Sequence, residues 1–190
     1  MTLHLRGRLP VAIASLAITA TLGIGAAHAY VVTFDGLPDG PVPDGYGGIT
    51  WNGQWTVYSE AQYPYTPESP PARVYTFSST APFDFSTPTV FDGAYFSGYG
   101  FATVQFDMFL DGTLVATSGV LSPSSTPAFL SSGYGGLVNE VEVISPSPDY
   151  YVMDNVTYGV PEPAVWALLL VGFGAIGGAI RQRRSLPTTA

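Results

Sequence analysis

Residues 103–117 have the sequence TVQFDMFLDGTLVAT, and this stretch decides the fold class. Its first half alternates between an apolar face and a polar face, with Val104, Phe106, Met108 and Leu110 opposite Gln105 and Asp107. Alternation with a period of two is typical of a half-buried β-strand. Asp111-Gly112 is a two-residue hairpin signal, after which the chain returns through residues 113–117. The stretch therefore predicts a β-hairpin with one apolar face.

The rest of the region from 30 to 160 repeats this pattern of short alternating runs between Gly, Pro, Ser and Asp. Further strands are predicted at 30–35, 55–58, 74–77, 90–91, 94–96, 137–144 and 151–158, with a turn or bulge at Asp92-Gly93. About eight to ten short strands at this spacing favour an all-β, antiparallel β-sandwich of the jelly-roll type. Residues 36–48 and 59–73 are predicted to be ordered loops at one end of it, where function is often found.

Acidic charge is concentrated in residues 30–160, which hold thirteen of the fourteen carboxylates and one basic residue, Arg73. The resulting formal charge of −12 argues against binding to nucleic acid. The chain has no cysteine, and both histidines, His4 and His28, precede residue 30. Residues 30–160 therefore exclude cysteine nucleophiles, Ser-His-Asp triads and the usual zinc sites.

Residues 1–29 have the three parts of a secretory signal peptide. These are a basic start, an apolar run and small residues at positions −3 and −1, supplied by Arg6 and Arg8, residues 11–25, and Ala27 and Ala29. We therefore predict that signal peptidase cleaves before Tyr30. An uncleaved N-terminal anchor is the alternative.

The C-terminal tail, residues 161–190, contains a second apolar segment. Residues 164–180 are seventeen uncharged residues, and at about 1.5 Å per residue they span roughly 25 Å, at the short end for a bilayer core of about 30 Å. The basic end at 181–184 contains Arg181, Arg183 and Arg184. Arginines there remain cytoplasmic by the positive-inside rule, which places the acidic domain outside. Before the segment stands Pro161-Glu162-Pro163, whose prolines break the preceding strand.

Together, this proline-flanked glutamate, the glycine-rich span and the basic end resemble the PEP-CTERM sorting signal. The resemblance implies recognition by an exosortase, cleavage of an inner-membrane intermediate near the motif, and release or attachment at the outer surface. It also implies a Gram-negative bacterium that makes exopolysaccharide. Residues 185–190 run past the usual basic end. An ordinary tail anchor is the alternative.

The domain itself shows a second resemblance, in its opening FDGL at 34–37, VPDGYGGITW at 42–51, and its closing YVMDNVTY at 151–158. These segments are similar to secreted β-sandwich domains that look like carbohydrate-binding jelly rolls, which implies a glycan ligand without naming it. An aromatic ring on a rigid sheet can stack on a sugar. The candidates are Trp51, Trp55, Tyr63 and Tyr65, with core packing as the alternative for the two tryptophans.

Asp35 and Asp154 form a candidate metal site. First and last strands often pair in sandwiches, which would bring the two carboxylates together, and carboxylate oxygens are ligands for a structural Ca²⁺. Capping of loops by the same side chains is the alternative.

Two functions follow, and neither is catalytic. The first is an exported surface or matrix protein that associates with exopolysaccharide through a glycan-binding sandwich. The second is a structural, self-associating biofilm matrix protein without specific sugar binding. A glycosidase, which needs two carboxylates, is the third hypothesis, with Glu60 and Glu68 or Glu140 and Glu142 as nominal pairs. Glu140 and Glu142 lie about 7 Å apart on one strand, and we expect a solvated face that gives them no reason for a raised pKa.

Overall fold

A computed structural model describes residues 28–160, 172–174 and 176. Apart from the helical residues 172–174 and 176, the regular secondary structure of the described chain consists of β-strands and two short 3₁₀ turns at Tyr46–Gly48 and Pro148–Tyr150. The strands are β1 (His28–Val32), β2 (Gly40–Pro41), β3 (Ile49–Thr50), β4 (Thr56–Tyr58), β5 (Arg73–Tyr75), β6 (Thr80–Gly98), β7 (Gln105–Leu110), β8 (Thr113–Thr117), β9 (Ala128–Ser131), β10 (Leu137–Ile144) and β11 (Tyr151–Val160). The prediction of an all-β fold is confirmed.

The strands form one antiparallel sheet in the order β2-β4-β5-β11-β6-β10-β7-β8, with β1 added to β11, and β3 and β9 added to β6. The long strand β6 pairs with β10 and β3 near its start and with β11 and β9 near its end. Phe106 of β7 contacts Phe91 and Phe96 of β6 at ring-centroid distances of 4.8 and 5.6 Å, although β10 separates these strands. The sheet therefore curves around its core, which is consistent with a β-sandwich.

Strands β7 and β8 form a hairpin, which confirms the prediction made from residues 103–117. Val104, Phe106 and Met108 are fully buried. Asp111 and Gly112 both adopt positive φ angles, 50° and 74°, as a two-residue hairpin turn of the favoured twist requires. Outside the turn, the Asn139 side-chain amide of β10 exchanges two hydrogen bonds of 3.0 Å with Asp111.

The first half of β6 and the whole of β9 are strands that the sequence pattern did not predict. This half of β6 contains Pro82 and Pro88, which are unfavourable within a strand because proline cannot donate to the ladder. Pro82 nevertheless lies in register with Glu142, since Ala81 and Phe83 alternate into the core on either side of it. Asp92-Gly93 interrupts the pairing with β11 as a bulge inside one continuous strand.

The two ends of the domain lie side by side, because β1 and β11 pair from His28↔Val160 to Val32↔Val156. The predicted pairing of first and last strands is therefore confirmed. Ala29, at the predicted cleavage position, lies in β1 opposite Gly159. Cleavage there would leave the pairs from Tyr30 to Val32 in place.

Several predicted features fall outside the described residues. These are Ala27 and the signal segment before it, Pro161, Glu162 and Pro163, most of the apolar segment 164–180, and Arg181, Arg183 and Arg184. In the part of the chain that the structure describes, no helix has the length and hydropathy needed to cross a membrane.

Candidate ligand site

The loop between β4 and β5 lies beside a cavity of about 260 Å³. This loop, residues 59–72, is one of the two that the sequence predicted to be ordered. Three segments supply the cavity walls: the loop, the strands that flank it, and the start of β11 with the turn before it. The residues are Gln62 and Tyr65, then Tyr58, Arg73, Tyr75 and Phe77, and finally Asp149, Tyr151 and Val152.

An exposed aromatic patch adjoins the cavity and consists of Tyr65, Tyr99, Phe101 and Tyr150. The Tyr99 ring lies 5.7 Å from Tyr65, 5.5 Å from Phe101 and 5.7 Å from Tyr150, measured between ring centroids. Phe101 is 65% exposed. Tyr65 belongs to both the patch and the cavity, and its hydroxyl donates a 2.8 Å hydrogen bond to the Asp149 carbonyl oxygen. The aromatic patch therefore continues the cavity wall onto the surface.

Arg73 brings the one basic side chain of residues 30–160 to the cavity wall. Its guanidinium carbon lies 4.8 Å from the centroid of the Tyr58 ring, in cation–π geometry. Burial lowers the pKa of Arg73, while Tyr58, Asp39 and Asp154 act in the opposite direction. Because arginine does not lose its proton in proteins, the cavity wall carries a permanent positive charge.

Asp35 and Asp154 brace the end of the loop, residues 69–72. Asp154 accepts hydrogen bonds of 2.8 Å from the Ser69 and Asn155 backbone amides, and Asp35 accepts one of 3.1 Å from Ala72. Asp154 lies where β11 stops pairing with β5 and begins to pair with β1. The chain forms a bulge there, in which Asn155 has a φ of 48°. The two carboxylates thus hold the chain that leads into Arg73.

Asp35 and Asp154 are also the residues predicted to hold a structural Ca²⁺ ion. Ca²⁺ takes about six to eight oxygen ligands. Within residues 28–160, no group of three or more acidic or histidine side chains is placed to hold a metal ion. Asp35 and Asp154 accept hydrogen bonds from the loop backbone, which favours loop bracing, while a Ca²⁺ ion held by this pair together with backbone oxygens stays a prediction.

The raised pKa of Asp154 predicts that the stability of the protein depends on pH. Burial, with a contribution from Asp35, raises the pKa of Asp154 from 3.8 to about 6 despite its hydrogen bonds. A carboxyl whose folded pKa is raised stabilises the protein fully below its unfolded pKa and loses that contribution as pH rises through the folded value. From pH 5 to pH 7, the free energy of unfolding should therefore fall by about 1 kcal/mol through this group. Urea denaturation at both pH values should show this fall reduced in Asp154→Asn, and an unchanged pH dependence would contradict it.

The four residues predicted to stack on glycans lie in different environments. Trp51 and Trp55 are fully buried in the core, which corrects the expectation for these two, because neither indole has a face available to a ligand. Tyr63 is 82% exposed but does not line the cavity. Tyr65 lines the cavity and joins the aromatic patch. Of the four, Tyr65 is the residue that the fold brings to a concave surface.

Glu140 and Glu142 correct a second expectation. Both are half-buried in β10, between β6 and β7, and not on a fully solvated face. Burial raises the pKa of each, with further contributions from Asp84 and Glu142 for Glu140, and from Asp107 for Glu142. Asp84 and Asp107 are their cross-strand partners in register. Neither glutamate lines the cavity beside the loop.

The domain is thus an all-β body whose last strand continues directly into a tail of proline, apolar and arginine residues. Residues 159–184 match the family model for the PEP-CTERM protein-sorting motif, and the match begins inside β11. The chain therefore carries a PEP-CTERM sorting motif at its C-terminal end, and the motif implies processing by an exosortase and export through a membrane-anchored intermediate to the cell surface. Comparison with curated proteins and with solved structures gives no match.

Proposed function

We propose that this protein is a non-catalytic glycan-binding protein of the surface or extracellular matrix of a Gram-negative bacterium, where it associates with exopolysaccharide. The observation that carries the proposal is the cavity beside loop 59–72 with the aromatic patch at its edge. Ligand pockets are concave and largely apolar, with a few polar groups, and this one offers aromatic rings beside hydroxyl, amide and charged groups. Signal peptidase and a transient stay in the inner membrane are part of the proposed export route.

The cavity and the aromatic patch contact different sugar units of a bound polysaccharide. At about 260 Å³ the cavity lies just below the usual range for ligand pockets, about 300–1,000 Å³, and it suits one sugar unit of a chain. The patch rings give neighbouring units a surface on which apolar C–H faces can pack. Tyr65 joins the two parts and is fixed by its hydrogen bond to Asp149.

Tyr65→Ala is expected to weaken glycan binding about tenfold or more, because it removes a ring shared by the cavity and the patch. The measurement is a glycan array followed by titration of the best ligand, using the full chain in a zwitterionic detergent, since sugar-headed detergents would compete. Tyr65→Phe keeps the ring and loses only the hydroxyl, so it should retain most of the affinity. Tyr30→Ala removes an exposed tyrosine outside the site and serves as the matched control.

Three results would count against this function. Saturable binding that is equal in Tyr65→Ala and Tyr30→Ala would place the glycan elsewhere. Release of reducing ends from a bound polysaccharide would show an enzyme. Absence of binding to any glycan would leave a self-associating matrix protein as the remaining candidate function.

That second candidate is a self-associating matrix protein, and one feature of the sheet favours it. Among the described strands β8 is at the edge of the main path and pairs with β7 alone. Leu114 on β8 is exposed. An unpaired edge can add a strand from another chain. Sedimentation of the full chain without any sugar would show concentration-dependent assembly if this function is the correct one.

A further inference from the structure

Arg73 is buried without a polar partner. The side chain is 1% exposed, and its Nε, Nη1 and Nη2 atoms have no hydrogen-bond partner among the described residues. Burying a charge without pairing it is strongly unfavourable, and a guanidinium presents five N–H donors that all require acceptors. The cation–π contact with Tyr58 does not meet this need, because it engages the face of the ring and supplies no acceptor to the N–H groups.

Arg73 also lines the cavity beside loop 59–72. Its cross-strand partner Tyr58 lines the same cavity. Buried polar groups in native proteins are almost always satisfied, so an orphaned guanidinium at the cavity wall indicates that its missing partner comes from outside the chain.

We propose that this cavity selects a sugar that carries a carboxylate, a uronic acid unit of an acidic polysaccharide. The planar fork of the Arg73 guanidinium matches the two oxygens of a carboxylate. The inference rests on the proposed glycan binding and adds the chemical class of the ligand to it.

The charge of the domain gives this selection an unusual salt dependence. A formal charge of −12 repels an acidic polysaccharide at long range, whereas the contact with buried Arg73 is short and shielded from water. Added salt shortens the Debye length from about 30 Å at 0.01 M to about 8 Å at 0.15 M and screens buried pairs much less. The affinity for the acidic ligand should therefore rise between about 0.01 M and 0.15 M salt. Binding to a basic protein surface would instead weaken as salt is added.

The test compares a trigalacturonate with its neutral methyl ester by calorimetry on the full chain in a zwitterionic detergent. The acid should bind at least about tenfold more tightly than the ester to the wild-type chain. Arg73→Met, which keeps most of the side-chain volume, should weaken acid binding about 30-fold or more, the loss typical when one partner of a buried charge pair is removed. In Arg73→Met the acid and the ester should bind with similar affinities, because the charge that distinguishes them is gone.

The outcomes separate this inference from the function on which it rests. Equal binding of acid and ester by the wild-type chain would overturn carboxylate selection and leave glycan binding in place. Failure of every oligosaccharide to bind would overturn both. The thermal midpoint of Arg73→Met should be no lower than that of the wild type, because the substitution removes an unpaired buried charge. The acid–ester comparison on the wild-type chain decides the matter even if this variant does not fold.

Discussion

Replacement of Pro161, Glu162 and Pro163 by alanine is expected to leave the chain unprocessed in the membrane fraction. These residues lie within the matched sorting motif, residues 159–184, through which the exosortase recognises its substrate. Without cleavage, the apolar segment 164–180 stays attached, and a segment of this length and hydropathy prefers the bilayer to water. The expected change is therefore nearly complete, from a surface-exposed processed form to a membrane-bound precursor.

Cell fractionation with mass spectrometry of both termini would measure this change. Pro187→Ala also removes a proline from the tail but lies outside the matched residues, so it should be processed normally. A triple-alanine chain with the same C-terminus as the wild type would show that cleavage does not depend on these three residues.

The start of the motif inside β11 sets a structural condition on this processing. Gly159 and Val160 are paired with Ala29 and His28, and the Gly159 carbonyl also accepts a hydrogen bond from the Thr89 hydroxyl. Cleavage near this motif would therefore take place close to the folded end of β11. The N-terminus predicted at Tyr30 lies on β1, the strand paired with this end of β11.

The β-hairpin and the pairing of the two terminal strands could be predicted because their signals are local or follow a general rule. Period-two alternation and an Asp-Gly turn act within a few residues. The two tryptophans were harder to place, because Asn52, Gly53 and Gln54 between them are typical of an exposed loop. Asp44 accepts hydrogen bonds from the Trp51 and Asn52 amides at 2.7 and 3.0 Å, and the Trp51 ring packs against Phe34 and Phe83 in the core, contacts that the local sequence does not reveal.

The candidate ligand site depends on contacts between distant parts of the chain, so only some of its residues could be predicted from the sequence. Tyr65 was named from its own loop, but Tyr99 follows the end of β6, and Asp149 and Tyr150 belong to the turn before β11. Arg73 did carry a signal, because it is the one basic residue in an acidic domain. Arg73 becomes a candidate ligand-binding residue because it is buried, and its burial depends on long-range packing that no local sequence pattern encodes.

Gly98 is the backbone position on which this site most depends. It pairs with Tyr151, and a Cβ atom added at Gly98 would lie 2.2 Å from the Tyr150 carbonyl oxygen and 2.8 Å from the Tyr151 Cα. Both neighbours are backbone atoms and cannot rotate away. Its φ of 155° is also one that residues with a side chain rarely adopt. Glycine here therefore allows β6 to approach the segment that carries an aromatic-patch residue and a cavity residue.

Gly98→Ala is accordingly expected to lower the free energy of unfolding by about 3 kcal/mol or more, from overpacking against backbone and an unfavourable φ together. The loss is a large part of the roughly 5–15 kcal/mol that stabilises a typical domain. Gly100→Ala is the matched control, because its Cβ would meet nothing closer than 3.7 Å, from the Pro123 carbonyl oxygen. Urea denaturation should separate the two variants clearly, and equal stabilities would mean that β6 and β11 are not as close as described. Because the displaced backbone belongs to Tyr150 and Tyr151, any Gly98→Ala chain that folds should also bind glycan more weakly than Gly100→Ala, which ties the stability of this strand pair to the site it supports.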